Sequence, residues 1–310
     1  MSKVAIPDPI GSIPEKYRAQ IAQLGAEIHD TKPKDIEDVI ARTKDAEIIT
    51  ANYINVDRQL INFAPNLKYV IVPAVGYNNV DVNYATERGI KVLNCPSFVT
   101  IPVAEHALAL MLSVAKRFAE TKAEMQNGIW DANKFTGVEL HGKKLGLLGH
   151  GRIGKMIESM ATALGMTASF INSKSSDDEV DALISSSDII CICLPLTDKT
   201  EGMFNSRRIG LLQKSAILVN VGRGAVIDQS ALLVALSNNA FMGAGLDVFV
   251  GEPDDKGKLQ GEILELAKQS NVMVSPHSAF NTSESLDRLG QEILDNINSC
   301  LSGNPQNVVN

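Results

Sequence analysis

Four side chains in the second half of the chain have the chemistry needed to reduce a carbonyl group. Arg223, Glu252 and His277 each follow a short apolar segment, and Asp247 lies at the end of one. A guanidinium binds a carboxylate through paired hydrogen bonds, and a histidine can transfer a proton near neutral pH. A carboxylate that touches the histidine stabilises its charged form. We therefore predict Arg223, Glu252 and His277 as catalytic residues for carbonyl reduction.

A glycine-rich turn could supply the binding site for the cofactor of such a reaction. Gly149, Gly151 and Gly154 follow an apolar run and precede a helical pattern, which is the dinucleotide-binding spacing. Gly149 would make the tight turn, Gly151 would let a pyrophosphate approach the backbone, and Gly154 would let the helix pack closely. Free N–H groups at the start of that helix would bind the phosphates. The bound nicotinamide would carry out the hydride chemistry.

The elements that must position these residues alternate along the chain. Apolar, strand-like segments at residues 4–6, 46–50, 68–73 and 90–93 are separated by helical patterns, and the alternation resumes after residue 144. Such alternation indicates βαβ units with parallel strands. Ligands bind at the carboxyl ends of the strands in an open parallel sheet. We therefore expect the predicted catalytic residues to converge on the edge that carries the glycine turn.

Two longer helical segments indicate how the chain divides. Residues 100–118 are predicted as one helix, apolar on nearly every face, which is typical of a helix buried between layers or between subunits. We place a domain boundary just before it. Residues 283–301 are predicted as a helix that crosses back to the first domain. Two other histidines are weaker candidates for function: His106 is expected to be a hydrogen-bonded core residue, and His150 is expected to point to solvent.

Composition excludes several classes of protein. The 310 residues are enough for about two domains. A net charge of −7 argues against a nucleic-acid surface, which needs a basic patch. The sequence contains neither an apolar run of membrane-spanning length nor a secretory signal at its start. The four cysteines form no CxxC or metal-binding pattern, so we predict reduced core thiols, no metal site and a cytoplasmic location.

Several stretches, in this order, resemble the D-isomer-specific 2-hydroxyacid dehydrogenases. They are residues 75–81, 103–110, 135–143, 150–154, 195–197, 220–224, 247–249 with 252–253, and 275–277. The resemblance implies an α/β protein with two similar doubly wound, parallel-sheet (Rossmann-like) domains. A cofactor domain of residues 100–280 would be inserted into a discontinuous substrate domain of residues 1–99 plus 281–310. It also implies a homodimer, with the long helix and the loop around Trp130 at the interface.

The same resemblance implies a role for each matching residue. His277 would protonate the keto oxygen, Glu252 would pair with His277, and Arg223 would bind the substrate together with the backbone N–H groups of Val75 and Gly76. The resemblance places Arg152 and Ile153 at the pyrophosphate of the dinucleotide, and Val221, Gly222 and Asp247 near the nicotinamide. Around the adenosine half it implies Leu194, Pro195 and Thr200. For the substrate side chain we predict contacts from Tyr53 and Phe280. The substrate would be a small 2-keto or D-2-hydroxy acid; glyoxylate, hydroxypyruvate, pyruvate and larger 2-keto acids remain open.

One position departs from the NAD pattern. The acidic residue that binds the adenosine ribose is expected about 20 residues beyond the glycine turn. Asn172, Ser173 and Lys174 occupy that place, and Asp177 is the first carboxylate after it. An acid would repel a 2′-phosphate, whereas these three side chains can donate hydrogen bonds to one. We therefore predict that NADP(H) is accepted and preferred over NAD(H).

Two other functions are compatible with the same pattern. One is a non-catalytic, dinucleotide-sensing corepressor on the same fold; a visible basic or peptide-binding extension would favour it, and the sequence has none. The other is a dehydrogenase for a carbonyl substrate without a carboxylate, such as a sugar or an alcohol. A turnover assay with 2-keto acids separates both from the predicted enzyme.

Overall fold

The computed structural model describes residues 3–11, 13–253 and 257–310. The strands are β1 Val4–Ile6, β2 Glu27–Ile28, β3 Ile48–Thr50, β4 Tyr69–Val72, β5 Lys91–Asn94, β6 Lys144–Leu148, β7 Thr167–Ile171, β8 Ile189–Ile192, β9 Ile217–Asn220, β10 Gly243–Leu246 and β11 Val272–Val274. The helices are α1 Glu15–Gln23, α2 Ile36–Thr43, α3 Arg58–Phe63, α4 Val82–Glu87, α5 Thr100–Ala115, α6 Phe118–Gln126, α7 Arg152–Ala163, α8 Asp177–Ser186, α9 Ser206–Ile209, α10 Gln229–Ser237, α11 Gly261–Lys268 and α12 Ser283–Leu301.

The chain forms two compact units. One consists of Met1–Val99 and Asn281–Asn310, and the other of Thr100–Phe280. The first unit is therefore discontinuous in sequence, and the second is inserted into it. No helix in the described ranges has the length and apolar character to cross a membrane.

The first unit is built on a parallel sheet whose described strands follow the order β2-β1-β3-β4-β5. Its central strands are buried, and apolar side chains from α2, α3 and α4 pack over them. Helix α12 lies against α1 because Gly290 has no side chain; a Cβ there would collide with the ring of Tyr17. The last residues pair with the edge strand β5 through an antiparallel bridge between Val308 and Leu93.

The second unit is built on a parallel sheet whose described strands follow the order β11-β10-β9-β8-β6-β7. Helix α5 covers β9 and β10 and packs against α7, which explains why it is apolar on so many faces. Glycines in β10 permit this approach: a Cβ at Gly245 would lie only 2.7 Å from Cβ of Leu110. On the other face of this sheet, apolar residues of α8, α10 and α11 pack against the strands and form the second layer of the core.

Both sheets are doubly wound. In each, the first strand lies inside the sheet, the second strand is at one edge, and the third pairs with the other side of the first. The order in which successive strands are added therefore reverses beside β1 in one unit and beside β6 in the other. In doubly wound sheets, ligands bind at the carboxyl ends of the strands at this point. The predicted fold class, an α/β protein with two similar Rossmann-like sheets, is confirmed.

The helices differ from the predicted ones at two places. The predicted helix of residues 100–118 ends at Ala115, and α6 begins at Phe118 after Arg117 adopts a left-handed conformation with φ 55°. The freed carbonyl of Ala115 accepts the N–H of Val138, which stabilises the break. Helix α11 was not predicted, because no side chain caps its N-terminus and no capping signal marks its start.

Candidate active site

The glycine turn has the geometry that its sequence predicts. Gly149 has a φ of 105°, which a residue with a side chain rarely adopts. Gly154, in the first turn of α7, faces the carbonyl of Gly149, and a Cβ there would collide with it. A Cβ at Gly151 would meet no atom within 4 Å, so open space lies beside this residue. The start of a helix presents backbone N–H groups and a partial positive charge, so the first turn of α7 suits a dinucleotide pyrophosphate.

A cysteine side chain is hydrogen-bonded to the glycine turn. The Sγ atom of Cys193, just after β8, lies 3.0 Å from the carbonyl oxygen of Gly149 and donates a hydrogen bond to it. Burial raises the pKa of the Cys193 thiol to about 12, so the thiol keeps its proton at neutral pH and remains a donor. The four cysteines are free, as predicted from their spacing. The cysteine pattern alone did not indicate that one of them holds the glycine turn.

The orientation predicted for His150 was wrong. Its ring does not extend into solvent but stacks on Phe170 of β7, with ring centroids 3.6 Å apart and planes within 6°. Its Nε2 atom lies 2.6 Å from a carboxylate oxygen of Glu158, in α7. These partners fix the residue between the two glycines to the neighbouring strand and helix.

The structure brings His277 and Glu252 together. Nδ1 of His277 lies 2.7 Å from a carboxylate oxygen of Glu252, and the other oxygen accepts the N–H of Phe249 at 2.9 Å. Burial acts to raise the pKa of Glu252, but the hydrogen bonds from His277 and Phe249 outweigh it, so the pKa is lowered. The carboxylate is therefore ionised at neutral pH. Because it engages Nδ1, the Nε2 atom of His277 is the ring nitrogen that could exchange a proton with a substrate.

Arg223 lies in the loop that follows β9. Its guanidinium donates to the carbonyl of Gly222 at 2.8 Å, and the side chain of Asn220 bonds the N–H of Gly222 and the carbonyl of Arg223. Burial lowers the pKa of Arg223, and the charge of Glu252 opposes this effect. Gly224 packs directly on the backbone of Phe249, which joins the arginine loop to the glutamate loop. The three predicted catalytic residues thus share one edge of the second sheet.

Asp247 is buried, with 1% of its surface exposed. Its carboxylate accepts hydrogen bonds from the hydroxyl of Ser275 at 2.6 Å and from the N–H groups of Ser278 and Ala279 at 2.9 and 3.1 Å. These contacts are with the loop that carries His277. The predicted contact with the nicotinamide stays a prediction.

The position predicted for the adenosine ribose is exposed and contains no acid. Asn172, Ser173 and Lys174 follow β7 directly, and the side-chain oxygen of Asn172 accepts the N–H of Lys174 at 2.9 Å. The nearest carboxylate along the chain is engaged elsewhere, because Asp177 pairs with Arg208 at 2.5 Å.

The remaining predicted cofactor residues follow β8 and β9 or lie in α7. Gly222 packs against the backbone of Leu194, and a Cβ there would lie 2.7 Å from the Leu194 carbonyl oxygen. The hydroxyl of Thr200 donates to the carbonyl of Pro195 at 2.7 Å. Val221 is buried beside this pair of loops, and Arg152 and Ile153 begin α7 at the glycine turn. Their contacts with a cofactor stay predictions.

The predicted substrate residues lie in both units. Tyr53 follows β3 in the first unit, where its N–H donates to the carboxylate of Asp8. Val75 and Gly76 follow β4 in the same unit, and the carbonyl of Val75 accepts the side chain of Asn94 at 2.8 Å. Phe280 is the last residue of the second unit. Sequence reasoning missed Asp8: burial raises its pKa, although three backbone N–H groups around Tyr53 bond its carboxylate.

No group of three histidine, cysteine or acidic side chains in the described ranges could hold a metal ion. The donors that the structure does bring together suit an anionic dinucleotide and a carboxylate-bearing carbonyl compound.

A doubly wound sheet with this glycine turn, and with arginine, glutamate and histidine at its carboxyl edge, defines a nicotinamide-dependent oxidoreductase. Residues 108–279 match the family model of the D-isomer specific 2-hydroxyacid dehydrogenase, NAD binding domain. The chain belongs to this family of NAD(P)-dependent enzymes, and the resemblance drawn from the sequence is confirmed.

Relatives extend the similarity over the whole chain. The hydroxypyruvate reductase of Blautia hydrogenotrophica is 34% identical over 295 residues, covering 90% of each protein. The D-3-phosphoglycerate dehydrogenase of Methanocaldococcus jannaschii is 33% identical over all of this chain, which spans 60% of that protein's length.

Solved structures are similar over both units. An acyclic imino acid reductase (Bsp5) in complex with NADPH and D-Arg has a TM-score of 0.90 at 28% identity, over 99% of this chain and 100% of that one. The D-lactate dehydrogenase of Aquifex aeolicus, complexed with NAD and lactic acid, has a TM-score of 0.86 at 29% identity, over 98% and 96% of the two chains.

Proposed function

We propose that the chain transfers a hydride between NAD(P)H and the carbonyl of a small 2-keto acid, giving a D-2-hydroxy acid. The observation that carries this proposal is the Glu252–His277 pair, in which Nδ1 of His277 lies 2.7 Å from a carboxylate oxygen of Glu252. The pair lies beside the Arg223 loop, within the residues that match the family model. The relatives named hydroxypyruvate reductase and D-lactate dehydrogenase support the substrate class. Glyoxylate, hydroxypyruvate and pyruvate are the candidate substrates.

The residues divide the reaction between them. When bound, the nicotinamide would supply the hydride for the carbonyl carbon, and the first turn of α7 would hold the pyrophosphate. Arg223 binds the carboxylate of the keto acid and orients its carbonyl group. Nε2 of His277 donates a proton to the keto oxygen as negative charge develops there. Glu252 holds Nδ1, keeps the ring in place and compensates its charge. The substrate contacts of Tyr53, Val75 and Gly76 stay predictions, and on that ground we propose the first unit as the substrate domain.

For the cofactor we propose a preference for NADP(H). Asn172, Ser173 and Lys174 are exposed at the end of β7, and the Lys174 ammonium pairs with no carboxylate among the described residues. A 2′-phosphate would gain a favourable charge interaction there, and no acid would repel it. Lys174→Asp should lower kcat/KM for NADPH about tenfold or more and leave kcat/KM for NADH within about twofold.

A matched control carries the same charge change elsewhere. Lys258 is exposed, so Lys258→Asp should leave the cofactor ratio unchanged. A strong preference of the wild-type protein for NADH would overturn this part of the proposal.

For the assembly we propose a homodimer. Trp130 is 84% exposed, and Phe118, Met125 and Ile129 are also exposed on α6 and just after it. Exposed apolar residues in such a group mark an interaction surface. Trp130→Ser should shift the mass in analytical ultracentrifugation towards the monomer; a wild-type monomer at micromolar concentration would contradict the proposal.

We also propose a cytoplasmic location, which the four free cysteines support. Localising a fluorescent fusion tests it.

The decisive assay for the activity is a panel of 2-keto acids with both cofactors. Steady loss of NAD(P)H absorbance with at least one keto acid supports the enzyme. No turnover with any keto acid, together with tight cofactor binding, would favour the corepressor-like alternative. Faster turnover of carbonyl compounds without a carboxylate would favour a dehydrogenase for another substrate.

A further inference from the structure

The loop that presents His277 is held in an unusual conformation. His277 has a φ of 49°, in the left-handed region that residues other than glycine seldom occupy. Such a conformation persists where the surrounding structure determines it. The position of this side chain therefore depends on whatever fixes the loop of residues 275–279.

Asp247 fixes this loop with both its main chain and its side chain. Its carbonyl accepts the N–H of His277 at 2.8 Å. Its buried carboxylate accepts the hydroxyl of Ser275 and the N–H groups of Ser278 and Ala279, so donors on both sides of His277 converge on one residue. A shift of this carboxylate would therefore move His277 relative to Glu252.

A histidine from helix α5 completes the arrangement. Nε2 of His106 lies 2.7 Å from Oγ of Ser275 and 3.6 Å from the carboxylate of Asp247. A serine hydroxyl has one proton, and that of Ser275 is directed to Asp247 at 2.6 Å. The Ser275 oxygen must then accept from His106, so Nε2 of His106 carries a proton. The chain of donors runs from His106 to Ser275 to Asp247.

We infer that His106 is a positioning residue, which acts through Ser275 and Asp247 to hold the loop that presents His277. This inference rests on the proposed function for its effect on turnover, although its effect on the loop does not. Helix α5 packs against β10 and β11, so the hydrogen bond ties the loop to a rigid element of the core. The polar partners of His106 within the described ranges are Ser275 and Asp247, and neither is proposed to react with substrate.

Four variants test this chain of hydrogen bonds: His106→Ala, His106→Gln, Ser275→Ala and the double variant His106→Ala/Ser275→Ala. Gln can place an amide donor where Nε2 lies, so it is the conservative replacement. His106→Ala should lower kcat about tenfold and leave KM for the keto acid within about twofold, because the proton donor is displaced while Arg223 still binds the carboxylate. His106→Gln should restore most of kcat. The double variant should match Ser275→Ala, because the two side chains act in series.

Hydrogen exchange gives a readout that needs no turnover. Exchange of the amides of Ser278 and Ala279 should rise about tenfold in His106→Ala and return towards wild type in His106→Gln. His141→Ala is the control, since His141 is an exposed histidine of the same unit. The inference is overturned if His106→Ala leaves these amides at their wild-type rate, if Gln fails to restore the loop, or if the two single effects multiply in the double variant. If the variants show this exchange pattern but the wild-type protein reduces no keto acid, the proposed function alone is refuted and the inference stands.

Discussion

Replacing Gly224 by alanine should separate the two loops that bear Arg223 and Glu252. A Cβ at Gly224 would lie 2.5 Å from Cα of Phe249 and closer still to the Phe249 carbonyl group. The nearest carbon is that of the Phe249 carbonyl, at 2.1 Å, whereas an ordinary carbon–carbon contact is about 3.5 Å, so the two backbones must move apart by about 1.4 Å. Both atoms belong to main chain, so no side-chain rotation can relieve the collision. The N–H of Phe249 bonds Glu252, and this shift therefore carries the glutamate away from the arginine.

The expected result is a loss of kcat of about 100-fold, the size that a displacement of 1 Å can cause. Overpacking should also lower the free energy of unfolding by about 1–3 kcal/mol. The assay is steady-state reduction of the preferred 2-keto acid, with urea unfolding measured on the same samples. Gly210→Ala is the control, because the nearest atom to its Cβ would be the carbonyl oxygen of Arg207 at 3.3 Å. Wild-type kcat in Gly224→Ala would show that the contact between Gly224 and Phe249 does not position the two loops for turnover.

Two further predictions test the cofactor turn and a surface ion pair. Gly154→Ala would push a methyl group against the Gly149 carbonyl. We therefore expect NAD(P)H to bind at least about tenfold more weakly in a fluorescence titration, with KM for the keto acid little changed. An unchanged affinity for NAD(P)H would contradict the role of the turn. Bonds from Arg207 and Arg208 lower the pKa of Asp181 from 3.8 to about 2, so the carboxylate stabilises the fold above about pH 4 and loses this effect as pH falls towards 2. Asp181→Asn should lower the free energy of unfolding in urea by about 1 kcal/mol at pH 7, a small effect because a partly exposed ion pair is screened by solvent. The difference from wild type should vanish near pH 2. A constant difference at all pH values would argue against the pairing.

The sequence was sufficient for the strands and the glycine turn because their signals are local. A buried parallel strand is a continuous apolar run, and the left-handed Gly149 can be recognised from the spacing alone. The break between α5 and α6 could not be predicted in this way. Its left-handed residue is Arg117 rather than glycine, and the carbonyl that it frees is bonded by Val138, far along the chain.

The candidate catalytic residues were predicted from their chemistry and their place after strands, whereas the contacts that support them were not predicted. His150 has its partners eight residues away at Glu158 and on the neighbouring strand at Phe170. His106 is separated from Ser275 by 169 positions. Such contacts are set by which strands become neighbours and by how closely α5 packs on the sheet. Neither periodicity nor motif spacing contains that information.

The most direct test of the account is the rate of NADPH and NADH oxidation with glyoxylate, hydroxypyruvate and pyruvate, compared between the wild-type protein and His277→Ala. If His277 is the proton donor, the wild type should turn over at least one keto acid steadily, and the variant should lose kcat by about 1,000-fold or more with cofactor affinity unchanged. Equal turnover by the two proteins, or none by the wild type, would contradict this role.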